Sequence, residues 1–167
     1  ARAGGPQQAL AFVAGRHLSY YRGGHYMRQL VPTGTGLRTW LFAAIRMVAP
    51  KFPVPGTMEA AIKECVNAIR TQLTGPQRDG LRSLTQKLLE AAPELDMKGW
   101  MVGVDLSADR LAFVLSNDLK VSNAVIDASA EDVSSMSKKD RLRELLVYSV
   151  SEEYFELRKA LGIALGG

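Results

Sequence analysis

From Pro6 onward the apolar residues return every three or four positions, and no segment alternates apolar with polar residues cleanly. That spacing lines one face of a helix, whereas a half-buried strand needs a period of two. Gly and Pro divide the pattern. A helix is expected from Pro6 to about Tyr21 with Leu10, Val13, Ala14, His17 and Tyr21 as its stripe, ended by Gly23–Gly24. His25–Val31 reads as a helical turn or an extended piece. Thr33 or Thr35 opens a helix carrying Leu37, Leu41, Ala44, Ile45 and Val48, and Pro50, Pro53 and Pro55 make a stiff connector.

Thr57 is the expected cap of a helix through Leu73, with Met58, Ala61, Ile62, Cys65, Ile69 and Leu73 as its stripe. Gly75–Pro76 breaks it, a helix follows over Gln77–Ala92, and Pro93 punctuates its end. Asp96 opens a long segment to Leu115–Asp118 with Ala108, Leu111, Ala112 and Leu115 on one side, continued by a short helix over Val121–Ala128. The polar Ser129–Lys139 is the candidate mobile loop. Ser137 with Asp140 resembles a cap for Arg141–Tyr148, and Ser149 with Glu152 one for Glu152–Leu161. The expected fold is all-α, a compact multi-helix domain spanning 1–167, since 167 residues suit one core better than two.

No apolar run approaches the roughly 20 residues needed to span a bilayer, and no secretory leader stands at the start. The chain begins with Ala, so it is expected to be a piece of something longer. Cys65 is the only cysteine; its apolar neighbours make it a small core residue rather than a nucleophile, and the expected compartment is reducing and cytoplasmic.

The net charge of +4 is unevenly spread. Ala1–Thr57 has no Asp or Glu but carries Arg2, Arg16, Arg22, Arg28, Arg38, Arg46 and Lys51, which leaves the rest of the chain at −3. Such a basic third pairs internally, faces solvent, or binds an anionic partner such as nucleic acid or an acidic membrane surface through Arg22, Arg28, Arg38 and Arg46. Interleaved Tyr and Arg around His25 suit either a packed turn or stacking on nucleic acid. Trp40 and Trp100 are expected as core or interface anchors.

There is no phosphate-binding Gly loop, no G-x-S-x-G and no H-E-x-x-H, and Gly34-Thr35-Gly36 suits a turn or helix cap. Only His17 and His25 are available for proton transfer or metal binding. No catalytic residue, cofactor or metal ligand is therefore assigned.

Two segments gain meaning together: Gly15-Arg16-His17-Leu18-Ser19-Tyr20 on the first helix, and Asp105-Leu106-Ser107-Ala108-Asp109-Arg110 on a later one. The second resembles the downstream helix of the HtpX/CAAX-prenyl-protease family of zinc metallopeptidases, with Asp105 at the position of the glutamate ligand and Asp109 at that of the aspartate, four residues on, that supports the zinc ligands. The resemblance then aligns the first segment with G-H-E-x-x-H. Gly15 matches the glycine, Arg16 and Tyr20 fall on the two histidine ligands, and His17 falls on the general-base glutamate. Zinc there needs two imidazoles one turn apart and a carboxylate to take the water proton. Arg16 repels a cation, and every ligand position has changed.

The resemblance lies in two motifs within Phe12–Ile126. The basic region and the tail Asp140–Ile163 also look similar to C-terminal regions of myxobacterial tetratricopeptide-repeat proteins. Together these resemblances imply a decayed gluzincin-like peptidase fold with a remnant site at Arg16, His17, Tyr20, Asp105 and Asp109. They imply a non-catalytic protein–protein interaction or scaffold role, with another protein or an upstream region of the same chain as partner. Asp105 and Asp109, four residues apart, would then share a face that meets Arg16.

Overall fold

A computed structural model describes residues 5–91, 96–130 and 134–163, and every regular element among them is helical. In chain order these are α1 (Pro6–Ser19), α2 (Tyr26–Leu30), α3 (Gly34–Val48), a 3-10 turn at Gly56–Met58, α4 (Glu59–Gln72), α5 (Gly75–Ala91), α6 (Met97–Ser116), α7 (Leu119–Ala128), α8 (Lys138–Ser149) and α9 (Glu152–Ala160). The all-α expectation holds. The readings that fall on Arg2, Ala92, Pro93, Gly166–Gly167 and part of the Ser129–Lys139 loop lie outside the described residues.

The chain forms two compact units, Thr33–Met97 and a discontinuous one built from Ala1–Pro32 with Lys98–Gly167. In the Thr33–Met97 unit, α3 packs on α4 and α5. Ala43, Met47, Ile62 and Ile69 form its core, with Cys65, Val66 and Leu73 against them. The Cys65 thiol is pushed above its usual pKa by burial and then by Glu64. Arg46 on α3 donates from Nε to the Phe52 carbonyl at 2.9 Å and from Nη1 and Nη2 to the Glu59 carboxylate at 3.0 and 3.2 Å. These bonds tie the proline connector across the ends it joins.

In the discontinuous unit, α7 packs on α1 and α8, and α9 on α8. Phe12, Phe113, Val114, Ile126, Leu145, Tyr148 and Tyr154 supply its core. Phe113 stacks on Tyr154 at 4.9 Å, and Tyr148 meets the same ring edge-on at 5.4 Å. Arg158 is buried, donating to the carbonyls of Val114 and Ile163. α1 passes close to α6 at Gly15, where an added Cβ would lie 3.0 Å from both Ala112 Cα and Leu115 Cδ1.

Several local expectations are corrected. α1 buries Phe12, Gly15 and Ser19, leaving Leu10, Val13 and Tyr21 exposed. α6 comes close enough at Gly15 to leave no room for a side chain, while Phe12 on the same face enters the core. Thr33 accepts from Gly36 N as the cap of α3, but Thr57 sits inside the 3-10 turn, and Met58 precedes α4 without a side-chain cap. Ser137 caps α8 as expected. α9 is capped by Ser151, which accepts from Tyr154 N, while Ser149 ends α8. Trp40 and Trp100 are exposed, which removes the core half of the core-or-interface expectation.

Candidate functional site

α6 carries Met101, Val104, Asp105, Ala108, Asp109 and Ala112 on one buried stripe, so two carboxylates occupy core positions. Asp105 is 0% exposed and Asp109 1%. Ionised carboxylates can stay there only if cations and hydrogen bonds replace water. The surrounding segments supply both.

Asp109 is held from two directions. Arg16, near the end of α1, donates from Nε to Oδ1 at 2.9 Å. Arg141, in the first turn of α8, donates from Nε to Oδ2 at 2.7 Å and from Nη2 to Oδ1 at 2.8 Å. Arg141 is 2% exposed, and its Nη1 lies 3.3 Å from the Ser129 hydroxyl. Burial works against its charge, but the Asp109 hydrogen bonds and the nearby Asp109 and Asp105 charges outweigh that and raise its pKa above the usual arginine value.

Asp105 has a different shell. Its Oδ2 accepts from Ser135 N at 2.6 Å, Ser134 Oγ at 3.1 Å and Arg28 Nη2 at 3.3 Å. Arg28, on α2, also donates to the Pro32 carbonyl. Asp105 Oδ1, Arg28 Nε and His25 Nδ1 are buried without a hydrogen-bond partner among the described residues. Tyr20 packs on Val104 and Ala108, with the Arg16 guanidinium 5.7 Å from its ring centre. Burial, helped by Asp105 and Asp109 and opposed by Arg16 and Arg28, raises the Tyr20 phenol above its usual 10.0.

Of the remnant-site residues, Arg16, Tyr20, Asp105 and Asp109 come together, and the expected meeting of Arg16 with the α6 carboxylates takes place at Asp109. His17 faces out, its Nε2 3.4 Å from the Tyr21 hydroxyl. Among the described residues no group of three or more His, Cys, Asp or Glu is placed to hold a metal ion.

The set Arg22, Arg28, Arg38 and Arg46 does not stand as one external anion site. Arg28 is buried on Asp105 and Arg46 is bonded to Glu59 and Phe52, which leaves Arg22 and Arg38 exposed. Internal pairing, one of the readings of the basic third, describes Arg16, Arg28 and Arg46. Sequence reasoning missed Arg141, which entered it as the first residue of an expected helix. The available signal was that Asp105 and Asp109 share a helix stripe with Ala108 and Ala112, which requires cations from elsewhere in the chain.

A cleft of about 270 Å3 opens beside this cluster, lined by Phe12, Val13, Arg16, His17, Tyr20, Gln29, Val125, Ile126, Ser129 and Arg141. No helix among the described residues is long and apolar enough to cross a membrane. Comparisons with protein-family models, curated proteins and solved structures give no match.

Proposed function

We propose that the chain is a non-catalytic protein–protein interaction or scaffold module, a pseudo-metallopeptidase in which arginines have replaced a metal. The observation that carries this reading is the pairing of Arg16 and Arg141 with Asp109. At the positions aligned with zinc ligands, a permanent cation already satisfies the carboxylate that would support a metal. His17, aligned with the general base, is exposed and makes no contact with Asp105 or Asp109 among those described, its Nε2 lying 3.4 Å from the Tyr21 hydroxyl.

Exposed apolar side chains support the interaction half of the reading. Leu146, Val147 and Val150 at the end of α8 and Phe155 on α9 stand out from the unit's core, with Val150 74% exposed. The partner is another protein or an upstream region of the same polypeptide, met in the cytoplasm.

Two measurements test the two halves. Elemental analysis of the purified chain is expected to find far less than one zinc per chain, with no peptide hydrolysis; stoichiometric zinc sinks the pseudoenzyme reading. A photo-crosslinking residue at Val150 or Leu146, introduced in cells, is expected to trap one defined protein. Equal, diffuse labelling from both positions sinks the scaffold reading.

A further inference from the structure

Next to the cleft beside Arg141 lies a second, more open groove of about 560 Å3 lined by Gly5, Pro6, Ala9, Val13, Val121, Ala124, Val125, Ala128 and Ser129. The two share Val13, Val125 and Ser129. The two therefore adjoin along α1 and α7, and we read them together as one trough. Its far wall is small and apolar, and its near end holds Arg16, Arg141, Tyr20 and Ser129. From Pro6 to Arg16 it follows α1 for roughly 15 Å at the helical rise.

Arg141 gives the polar end a particular chemistry. Asp109 takes the side fork of its guanidinium, Nε and Nη2. The end fork, one N–H on each of Nη1 and Nη2, has only the Ser129 hydroxyl, 3.3 Å from Nη1, within reach among the described residues. Such a planar pair of donors on a nearly fully buried side chain suits the two oxygens of a carboxylate. The apolar wall suits a tail without polar groups. An extended peptide would bring backbone amides that need partners, and a groove walled by Pro6, Ala9, Val13 and Ala124 on helices offers none.

We propose that this trough binds an aliphatic monocarboxylate, its carboxylate on the Arg141 end fork and its chain lying between α1 and α7. The proposal does not depend on the interaction reading, since a metal-free scaffold can carry such a site or lack it.

Calorimetric titration of the purified chain with hexanoate, octanoate and decanoate, all below micelle formation, tests this. Saturable one-site binding is expected, tightening about two- to fourfold per added methylene, with no binding of decylamine. Ala128→Leu, on the exposed groove wall, is expected to weaken decanoate at least tenfold at unchanged melting temperature. Arg141→Lys keeps the charge and removes the fork; because Arg141 also holds Asp109, Ala128→Leu is the decisive variant. Absence of saturable decanoate binding, equal binding by Ala128→Leu or by decylamine, or tighter binding of a hydrophobic peptide with a free C-terminus would each overturn it.

Discussion

Arg141 grips Asp109 side-on, with both oxygens of the carboxylate within 2.8 Å of guanidinium nitrogens, while Arg16 reaches the same carboxylate from α1. One buried anion therefore joins α1, α6 and α8. Removing one member of such a set leaves the others uncompensated beside a carboxylate that is 1% exposed.

Asp109→Ala is accordingly expected to lower unfolding free energy by about 3–5 kcal/mol, the cost of stripping one partner from a buried ion pair. Urea titration measures it. The cycle of Arg16→Met, Asp109→Asn and the double variant is expected to show coupling of about 0.5–3 kcal/mol. Additive single effects would mean that the Arg16 contact contributes nothing.

Two glycines are expected to respond with opposite sign to alanine. Gly15→Ala places a methyl against the Ala112 backbone, which cannot yield as a side-chain tip does. It is expected to destabilise by about 1–3 kcal/mol despite the better helix propensity. Gly103, in the middle of α6, has nothing within 4 Å of an added Cβ. Gly103→Ala is expected to stabilise by up to about 1 kcal/mol. Thermal melts of the pair suffice.

The caps separate in the same way. Ser151→Ala removes the acceptor of Tyr154 N at the start of α9 and is expected to cost about 1 kcal/mol. Ser149→Ala removes only a bond to the Leu146 carbonyl within α8, and its melting temperature is expected to stay closer to that of the parent.

Stability is expected to fall as pH rises above about 10. Tyr20, Tyr148 and Tyr154 all have pKa values raised first by burial. A phenol with a higher pKa folded than unfolded contributes fully below the unfolded value and loses that contribution as pH climbs through the folded one. Tyr20→Phe should make the alkaline fall shallower in denaturant titrations at stepped pH. An unchanged slope would show that Tyr20 titrates alike in both states.

The helical class and most element limits were legible because Gly, Pro and the apolar period mark them locally. What was not legible depended on distance along the chain. On α1 the most apolar stripe, Leu10–Val13–Tyr21, is exposed, while Phe12, Gly15 and Ser19 are buried because another helix comes close there. On α6 the period found Ala108 and Ala112, but an aspartate reads locally as a solvent-facing residue. Distant partners make the two aspartates interior: Arg28, 77 positions before Asp105, and Arg16, 93 before Asp109, with Arg141 32 after it.

The unit holding that cluster is assembled from two stretches of sequence with Thr33–Met97 between them. On a ribosome the chain emerges from its N-terminus, so Arg16 and Arg28 arrive early and must wait for α6. The intervening unit, whose helices α3, α4 and α5 are sequential neighbours, can close while α6 is still being made. Asp105 and Asp109 then remain hydrated until Arg141 leaves the exit tunnel. Completion of the interior is thereby delayed until α8, the last contributor to the cluster, has been made.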